Sequence, residues 1–298
     1  MTYKQCYENG VSILETAQVP EARLDARLLL EAVCGTDRNA LLVHGDREVT
    51  KEQETAFMEV IGRRAKRIPL QHILGYQEFM GFRFQVNEHV LIPRQDTEVL
   101  VEKALEALAG LKRLKKSESL TAQESIDACS EKIRVLDMCT GSGCILISLL
   151  KMCSGATGIG VDISRDALAV AKVNGEALLK EGQVSWICSD MFANVEGKFD
   201  VITSNPPYIP TKVIEGLMPE VKEFEPMGAL DGMEDGLFFY RKIALEAPRF
   251  LKEQGQLFLE IGHDQGEAVS KLLLEQGFTN VQVLKDYAGL DRVVSAQK

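Results

Sequence analysis

The chain predicts an α/β fold, a mostly parallel, doubly wound sheet preceded by a small helical region and a hairpin. Three observations predict it. From residue 134 onward, short apolar, β-branched runs alternate with longer runs at helical spacing, the pattern of parallel strands joined by crossover helices. Before about residue 68 the periodicity is helical only. Between these regions, Phe79-Met80-Gly81-Phe82-Arg83-Phe84-Gln85-Val86 alternates around a glycine, as a short hairpin does.

The elements follow in order. Pro20 is placed in the first turn of a helix that carries Leu24, Leu28 and Leu29 and stops at Gly35. Thr50-Lys51-Glu52-Gln53 is a capping-box signature, and the helix it opens runs through Phe57, Met58 and Ile61 to Arg67, with Pro69 ending it. Residues 97–109 return to helical spacing. A polar tract over 112–132, rich in Ser, Glu and Lys, reads as a mobile loop or a helix extension. Beyond it, strands are expected at 134–138, 158–161, 184–188, 201–204, 257–261, 281–284 and 292–295. Helices are expected at about 143–153, 166–180, 236–251 and 265–276. The expected domains are residues 1–74, helical; 75–96, a hairpin linker; and 97–298, the sheet.

Composition excludes several classes. The 298 residues are 45% hydrophobic and 26% charged, ordinary for a soluble globular chain. A net charge of −10 argues against binding nucleic acid through its phosphates. No apolar run approaches the ~20 residues of a membrane span. The N-terminus has no apolar signal core, and the seven cysteines include no Cys-x-x-Cys. A reduced, cytoplasmic protein is expected, with no metal site. Arg63-Arg64-Lys66-Arg67 is the one basic cluster. It fits either cations at a helix C-terminus or a contact to an acidic surface.

The chemistry gathers at strand ends. Asp137-Met138-Cys139-Thr140-Gly141-Ser142-Gly143 leads from a strand through a glycine-rich turn into a helix, but Leu146 occupies the third glycine position of a dinucleotide fingerprint. Asp137 beside that turn would repel a pyrophosphate and suits a cation such as the sulfonium of S-adenosylmethionine. A plain βα turn is the alternative. Asp162 follows the next strand and suits ribose hydroxyls. Asp190 follows the third and suits an adenine amino group, with Met191 and Phe192 against the ring. Singly, these acids read equally as helix caps. After the fourth strand comes Asn205-Pro206-Pro207-Tyr208. Proline holds Asn205 extended, in a frame suited to gripping a planar –NH2 group. Ligands of open α/β sheets bind where these four positions coincide.

These motifs resemble those of class I S-adenosylmethionine-dependent methyltransferases, whose fold is Rossmann-like with seven strands. Leu91-Ile92-Pro93-Arg94-Gln95-Asp96-Thr97-Glu98, Glu225-Pro226-Met227-Gly228-Ala229-Leu230-Asp231-Gly232, Asp235-Gly236-Leu237, Glu260-Ile261-Gly262 and Gly289-Leu290-Asp291-Arg292 are similar to segments of one branch, the HemK/PrmC peptide chain release factor glutamine N5-methyltransferases. That family usually has Leu-Gly where Met138-Cys139 stands. The resemblance implies methyl transfer to the glutamine of a Gly-Gly-Gln motif in release factors, leaving S-adenosylhomocysteine. It implies cofactor contacts from Asp137, Cys139, Thr140, Gly141, Ser142, Gly143, Asp162, Asp190, Met191 and Asn205, and no metal. It also implies that Asn205 and the Pro206 carbonyl accept the two amide N–H groups of the substrate, with Pro207 and Tyr208 completing the substrate site. The N-terminal helices would hold the protein substrate, and the enzyme is expected to be a monomer. The rival is N-methylation of an exocyclic amino group of a DNA or RNA base, which uses a similar loop. A dehydrogenase and a non-enzymatic adaptor are weaker rivals.

Overall fold

Helix starts shape the N-terminal region. Thr2 caps α1 (Tyr3–Thr16) by accepting the Gln5 N–H, while the Gln5 side chain accepts the Thr2 N–H. α2 (Ala22–Cys34) ends on left-handed Gly35, as expected. Its N-cap is Glu21, however, so Pro20 stands before the helix, stiffening the turn after buried Val19 rather than filling the first turn. Asp37 caps α3 (Arg38–Val43). The expected box of Thr50 and Gln53 opens α4 (Lys51–Ala65), and α5 (Leu70–Leu74) follows Pro69. Leu14, Leu29, Leu30, Phe57 and Ile61 close a core of their own among these helices.

A computed structural model describes residues 1–121 and 132–298 of the chain. Two units divide them: Met1–Tyr76 with Leu217–Phe224, and Gln77–Gly216 with Glu225–Lys298. The expected boundaries differ in two places. The hairpin falls almost wholly in the larger unit, and residues 217–224 return to the smaller one.

In the larger unit, β1 (Tyr76–Phe79) and β2 (Phe82–Gln85) turn through Met80 and Gly81, both at positive φ (52° and 75°), the geometry that matches strand twist in a tight hairpin. A 3-10 turn, Gln95–Thr97, leads into α6 (Glu98–Thr121). The helix therefore takes up the first half of the polar tract, and residues 122–131 lie outside the described residues. Then follow β3 (Arg134–Met138), α7 (Cys144–Met152), β4 (Thr157–Asp162), α8 (Arg165–Leu178), β5 (Val184–Cys188), β6 (Phe199–Ser204), α9 (Thr211–Ile214), α10 (Pro219–Lys222, in the smaller unit), α11 (Phe238–Glu246), β7 (Leu251–Glu260), α12 (Gly266–Glu275), β8 (Thr279–Lys285) and β9 (Asp291–Gln297).

The seven strands β3–β9 form one sheet in the order β5-β4-β3-β6-β7-β9-β8. β3 pairs in parallel with both β4 and β6, so Asp137 lies between Gly160 and Thr203. β7 continues the parallel set, and β9 and β8 close the edge antiparallel. Side-chain alternation sends Leu136, Met138 and Ile202 to a core against α11 and α12, and Val135 and Val201 to a core against α6 and α7. Every expected strand is present, although β7 begins six residues before the expected 257. Gln254, at φ 60°, lets the polar stretch Lys252-Glu253-Gln254-Gly255 stay in the strand across an irregularity in its pairing with β6. The expected helix at 236–251 ends at Glu246, because Pro248 forces a 3-10 turn before β7.

The basic cluster of the smaller unit meets acids of the same unit. Arg64 is buried, and its Nε donates to Asp25 Oδ2 at 2.7 Å. Glu220 of α10 accepts from Arg64 Nη2 at 2.9 Å and from Arg67 Nε and Nη2 at 2.6 Å each. Burial opposes the charge on Glu220, but the Arg67 and Arg64 hydrogen bonds prevail and hold its carboxyl below the ordinary range.

Candidate active site

Strand order reverses between β3 and β6, and the chain leaves both strands at the same edge of the sheet. That is the switch point at which α/β sheets bind ligands. A cavity of about 400 Å³ opens there, within the range of small-molecule sites. The turns after β3, β4, β5 and β6 wall it, together with the stretches around residues 89–97 and 226–233.

The glycine-rich turn is built by local bonds. Thr140 N–H donates to Val161 O at 2.9 Å, and Gly143 N–H closes onto Thr140 O at 2.8 Å. Cys139, Thr140, Gly141 and Ser142 line the cavity, whereas Gly143 does not. Its glycine identity has a packing cause. At φ 79° it caps α7, and a Cβ there would lie 2.9 Å from Ile147 and 3.0 Å from Trp186. Cys139 adopts φ 57°, a backbone setting that favours glycine, and burial drives its thiol far above the ordinary range, so it stays protonated.

The three acids take different places. Asp162 lines the cavity, with Oδ2 accepting Gly141 N–H and Oδ1 accepting Ser164 N–H, both at 2.9 Å. It thus ties the glycine turn to the end of β4. Asp190 also lines the cavity and is exposed, with Lys242 Nζ 3.4 Å from its Oδ1. Asp137 is not brought to the cavity. It is the fourth residue within β3, fully buried one layer behind Thr140, and it accepts from Thr140 Oγ1 at 2.6 Å and Thr203 Oγ1 at 2.7 Å. Burial pushes its carboxyl up to about 7 against those two hydrogen bonds. Met191 lines the cavity, but Phe192 turns away to stack on Phe250 at 4.8 Å. Phe239 lines the cavity instead.

Of the loop after β6, Asn205 and Pro207 line the cavity. Pro206 is buried outside the lining, and Tyr208 packs towards the sheet core. Burial pushes the Tyr208 phenol up to about 12, so it is neutral. The loop is held from behind. Gln265 Nε2 donates to Tyr208 O at 3.0 Å, Ile209 N–H donates to Leu230 O, and Gly232 N–H donates to Ile209 O. Gly236 lies so close that a Cβ there would be 2.3 Å from Tyr208 O. Glu260, at the end of β7, is buried beside Asn205, since register pairs Ser204 with Leu259. Burial pushes its carboxyl up to about 7, while the Thr97 hydroxyl, Arg292 and the Asn205 side chain draw it down.

Residues 89–97 and 226–233 contribute walls that the strand-end argument did not single out. Arg94 joins them, with its Nη2 donating to both carboxylate oxygens of Glu225 at 2.7 and 2.8 Å. Their signal in the sequence was the two segments Leu91–Glu98 and Glu225–Gly232, read there for resemblance only. Chemically, the cavity offers backbone donors, three aspartates (Asp162, Asp190 and Asp231) and an amide, without a nucleophile–base pair. Such an arrangement suits orienting two ligands for direct group transfer. Among the described residues no cluster has the composition of a metal site, and no helix is long and apolar enough to cross a membrane.

Two family models match the chain, the PrmC N-terminal domain over residues 5–75 and the methyltransferase small domain over residues 118–218. A release factor glutamine methyltransferase of Agrobacterium fabrum is 40% identical over 96% of this chain and 93% of its own length. One of Moorella thermoacetica is 40% identical over 100% of this chain and 99% of its own length. Among solved structures, the hMettl16 catalytic domain in complex with MAT2A 3'UTR hairpin 6 is similar at TM-score 0.55 and 15% identity. It covers 80% of this chain and 81% of that one, a likeness of fold alone.

Proposed function

Because the chain belongs to the release factor glutamine methyltransferase family, we propose that its cavity joins S-adenosylmethionine to a release factor glutamine and that Asn205 grips the glutamine amide. One observation carries the reading: Asn205 lies on the cavity wall across the switch point from the glycine-rich turn, in a loop braced by Gln265 and Gly236.

The residues present fit the cofactor. The wall has the volume for it, backbone at Cys139–Ser142, and carboxylates at Asp162 and Asp190 suited to a ligand with hydroxyl and amino donors. Asp137 contributes by holding Thr140 rather than by touching the ligand. When bound, the cofactor supplies an electrophilic methyl group on a sulfonium. The chain's own residues have the other half of the task. A carboxamide nitrogen is a poor nucleophile, because its lone pair is delocalised into the carbonyl. Asn205 Oδ1 and the Pro206 carbonyl accept its two N–H groups, which aims the lone pair and stabilises charge growing on nitrogen. The braced loop means that little ordering remains to be done when substrate arrives. Pro207 shapes the wall, and Tyr208 anchors the loop to the core.

The same reading keeps release factors as the protein partner, the cytoplasm as the compartment and a monomer as the working unit. The test is mass spectrometry of a release factor incubated with the protein and S-adenosylmethionine, with duplex DNA as a parallel arm. One added methyl on the glutamine of the Gly-Gly-Gln motif, abolished by Asn205→Ala with cofactor affinity retained, is the expected result. Methyl on DNA alone, or undiminished transfer by Asn205→Ala, would refute it.

A further inference from the structure

An asparagine side chain is nearly symmetric in shape, so something must decide whether its oxygen or its nitrogen faces a ligand. At Asn205 the choice matters, because an –NH2 substrate needs the oxygen. Glu260 is the neighbour placed to make it. β6 and β7 are parallel, and pairing of Ser204 with Leu259 sets Asn205 beside Glu260 one step further on. Glu260 is 2% exposed and does not itself line the cavity, whereas Asn205 and Thr97, which both face its carboxyl, do. Its Oε2 is buried and, among the described residues, has no hydrogen-bond partner. A buried carboxylate oxygen without a donor is costly unless it has a task.

We propose that Glu260 is a positioning residue: its carboxylate accepts from Nδ2 of Asn205 and so turns Oδ1 of Asn205 into the cavity to receive the substrate amide. An ionised carboxylate only accepts, so it fixes the amide one way round. A protonated carboxyl donates instead. It then takes Oδ1 for itself and leaves Nδ2 facing the substrate –NH2, donor against donor. The charge state of Glu260 therefore sets the competence of Asn205, and burial places its titration at about 7. The groups around it are Arg292 on β9, Asp96 in the 3-10 turn before α6, Tyr208 in the loop, Cys144 on α7 and Tyr240 on α11, whose hydroxyl donates to the Glu260 carbonyl at 2.7 Å. Arg292 favours the carboxylate and Asp96 opposes it.

The proposal rests on Asn205 gripping the substrate –NH2, and the experiment separates the two ideas. Release factor methylation by wild type, Glu260→Gln and Asn205→Ala is measured from about pH 5.5 to about 8.5, with S-adenosylmethionine affinity by calorimetry at each pH. Wild-type kcat should fall on the acid side of about 7. Glu260→Gln should lose kcat by about ten- to a hundredfold at high pH, the range of one hydrogen bond to a charged group. It should also lose the acid limb while binding cofactor as wild type does. A flat wild-type profile, an acid limb that persists in Glu260→Gln, or cofactor affinity that falls in step with kcat would each overturn the positioning role while leaving the Asn205 reading standing. Full activity of Asn205→Ala would overturn both.

Discussion

Replacing Asn174 by Ala will loosen the hairpin and the glycine-rich turn together. Asn174 is buried on α8, and its carboxamide is fully used. Oδ1 accepts Gln85 N–H at 2.7 Å, and Nδ2 donates to Gln85 O at 3.0 Å and to Ser142 O at 2.9 Å. Alanine leaves all three backbone groups without that partner. Gln85 is exposed, so water can reclaim its two groups and each bond is worth about 1 kcal/mol. Ser142 is buried, and its orphaned carbonyl costs up to about 3 kcal/mol. The expected loss is therefore about 3–5 kcal/mol, read as a shift in urea midpoint at constant slope. Because Ser142 belongs to the cavity wall, S-adenosylmethionine affinity should fall about tenfold, or about 1.4 kcal/mol. Asn174→Asp should be worse than Ala, since it sets a carboxylate against two carbonyl oxygens. A loss below about 1 kcal/mol for Ala, or an Asp variant more stable than the Ala variant, would refute the reasoning.

Other perturbations follow the same logic. Gly236→Ala drives a Cβ to 2.3 Å from Tyr208 O at φ 72°, so stability should fall by about 2–4 kcal/mol and methyl transfer should suffer more than cofactor binding. Activity equal to wild type would mean the brace is dispensable. Glu220→Ala strips three donors of Arg64 and Arg67 of their acceptor, and thermal unfolding should register about 3 kcal/mol. Because the folded carboxyl of Glu220 is held low, its contribution is present above the ordinary glutamate value and lost as pH falls through the folded one. Glu260 and Asp137 carry the opposite sign. Their folded values are raised to about 7, so the folded state holds protons that the unfolded state has released, and stability declines as pH rises from the ordinary carboxylate range to about 7. Glu260→Gln should accordingly gain on wild type by on the order of 3 kcal/mol between pH 5 and pH 8 in urea titrations; an equal offset at both pH values would remove this account. Cys139→Gly should relieve a left-handed cysteine without loss of activity, raising stability by about 1 kcal/mol, and a lower melting temperature would contradict it.

The strands were legible because each is a short β-branched run between turn residues, and all seven are found. What failed was local. The start of β7 was hidden because Lys252, Glu253 and Gln254 look like a loop, and only pairing to β6 keeps them in a strand. Asp137 was misplaced for a related reason. From the sequence it borders the glycine turn, but the strand continues one residue past it and alternation turns it inward, onto Thr203. Asp162, Asp190 and Asn205 follow or end their strands and do reach the cavity. Gly143 and Phe192 belong to packing that no linear pattern displays, since their neighbours Trp186 and Phe250 are far along the chain. The return of residues 217–224 to the smaller unit is non-local in the same way. It is Glu220, not an external acidic surface, that meets Arg64 and Arg67.

That return imposes an order on synthesis. Arg67 and Glu220 are 153 residues apart, so at an elongation rate of about 5–20 residues per second roughly 8–30 s pass between their appearances. The apolar core of α1–α5 and the Arg64–Asp25 pair draw only on residues made before the hairpin. Arg67 Nη1 has the Gln18 carbonyl within the same segment, but its Nε and Nη2 have no acceptor until Glu220 is made. By the time Glu220 arrives, β3, β4, β5 and β6 and the loop bearing Asn205 have already been made. The first part of the chain to be made is thus completed only by residues that follow the loop bearing Asn205.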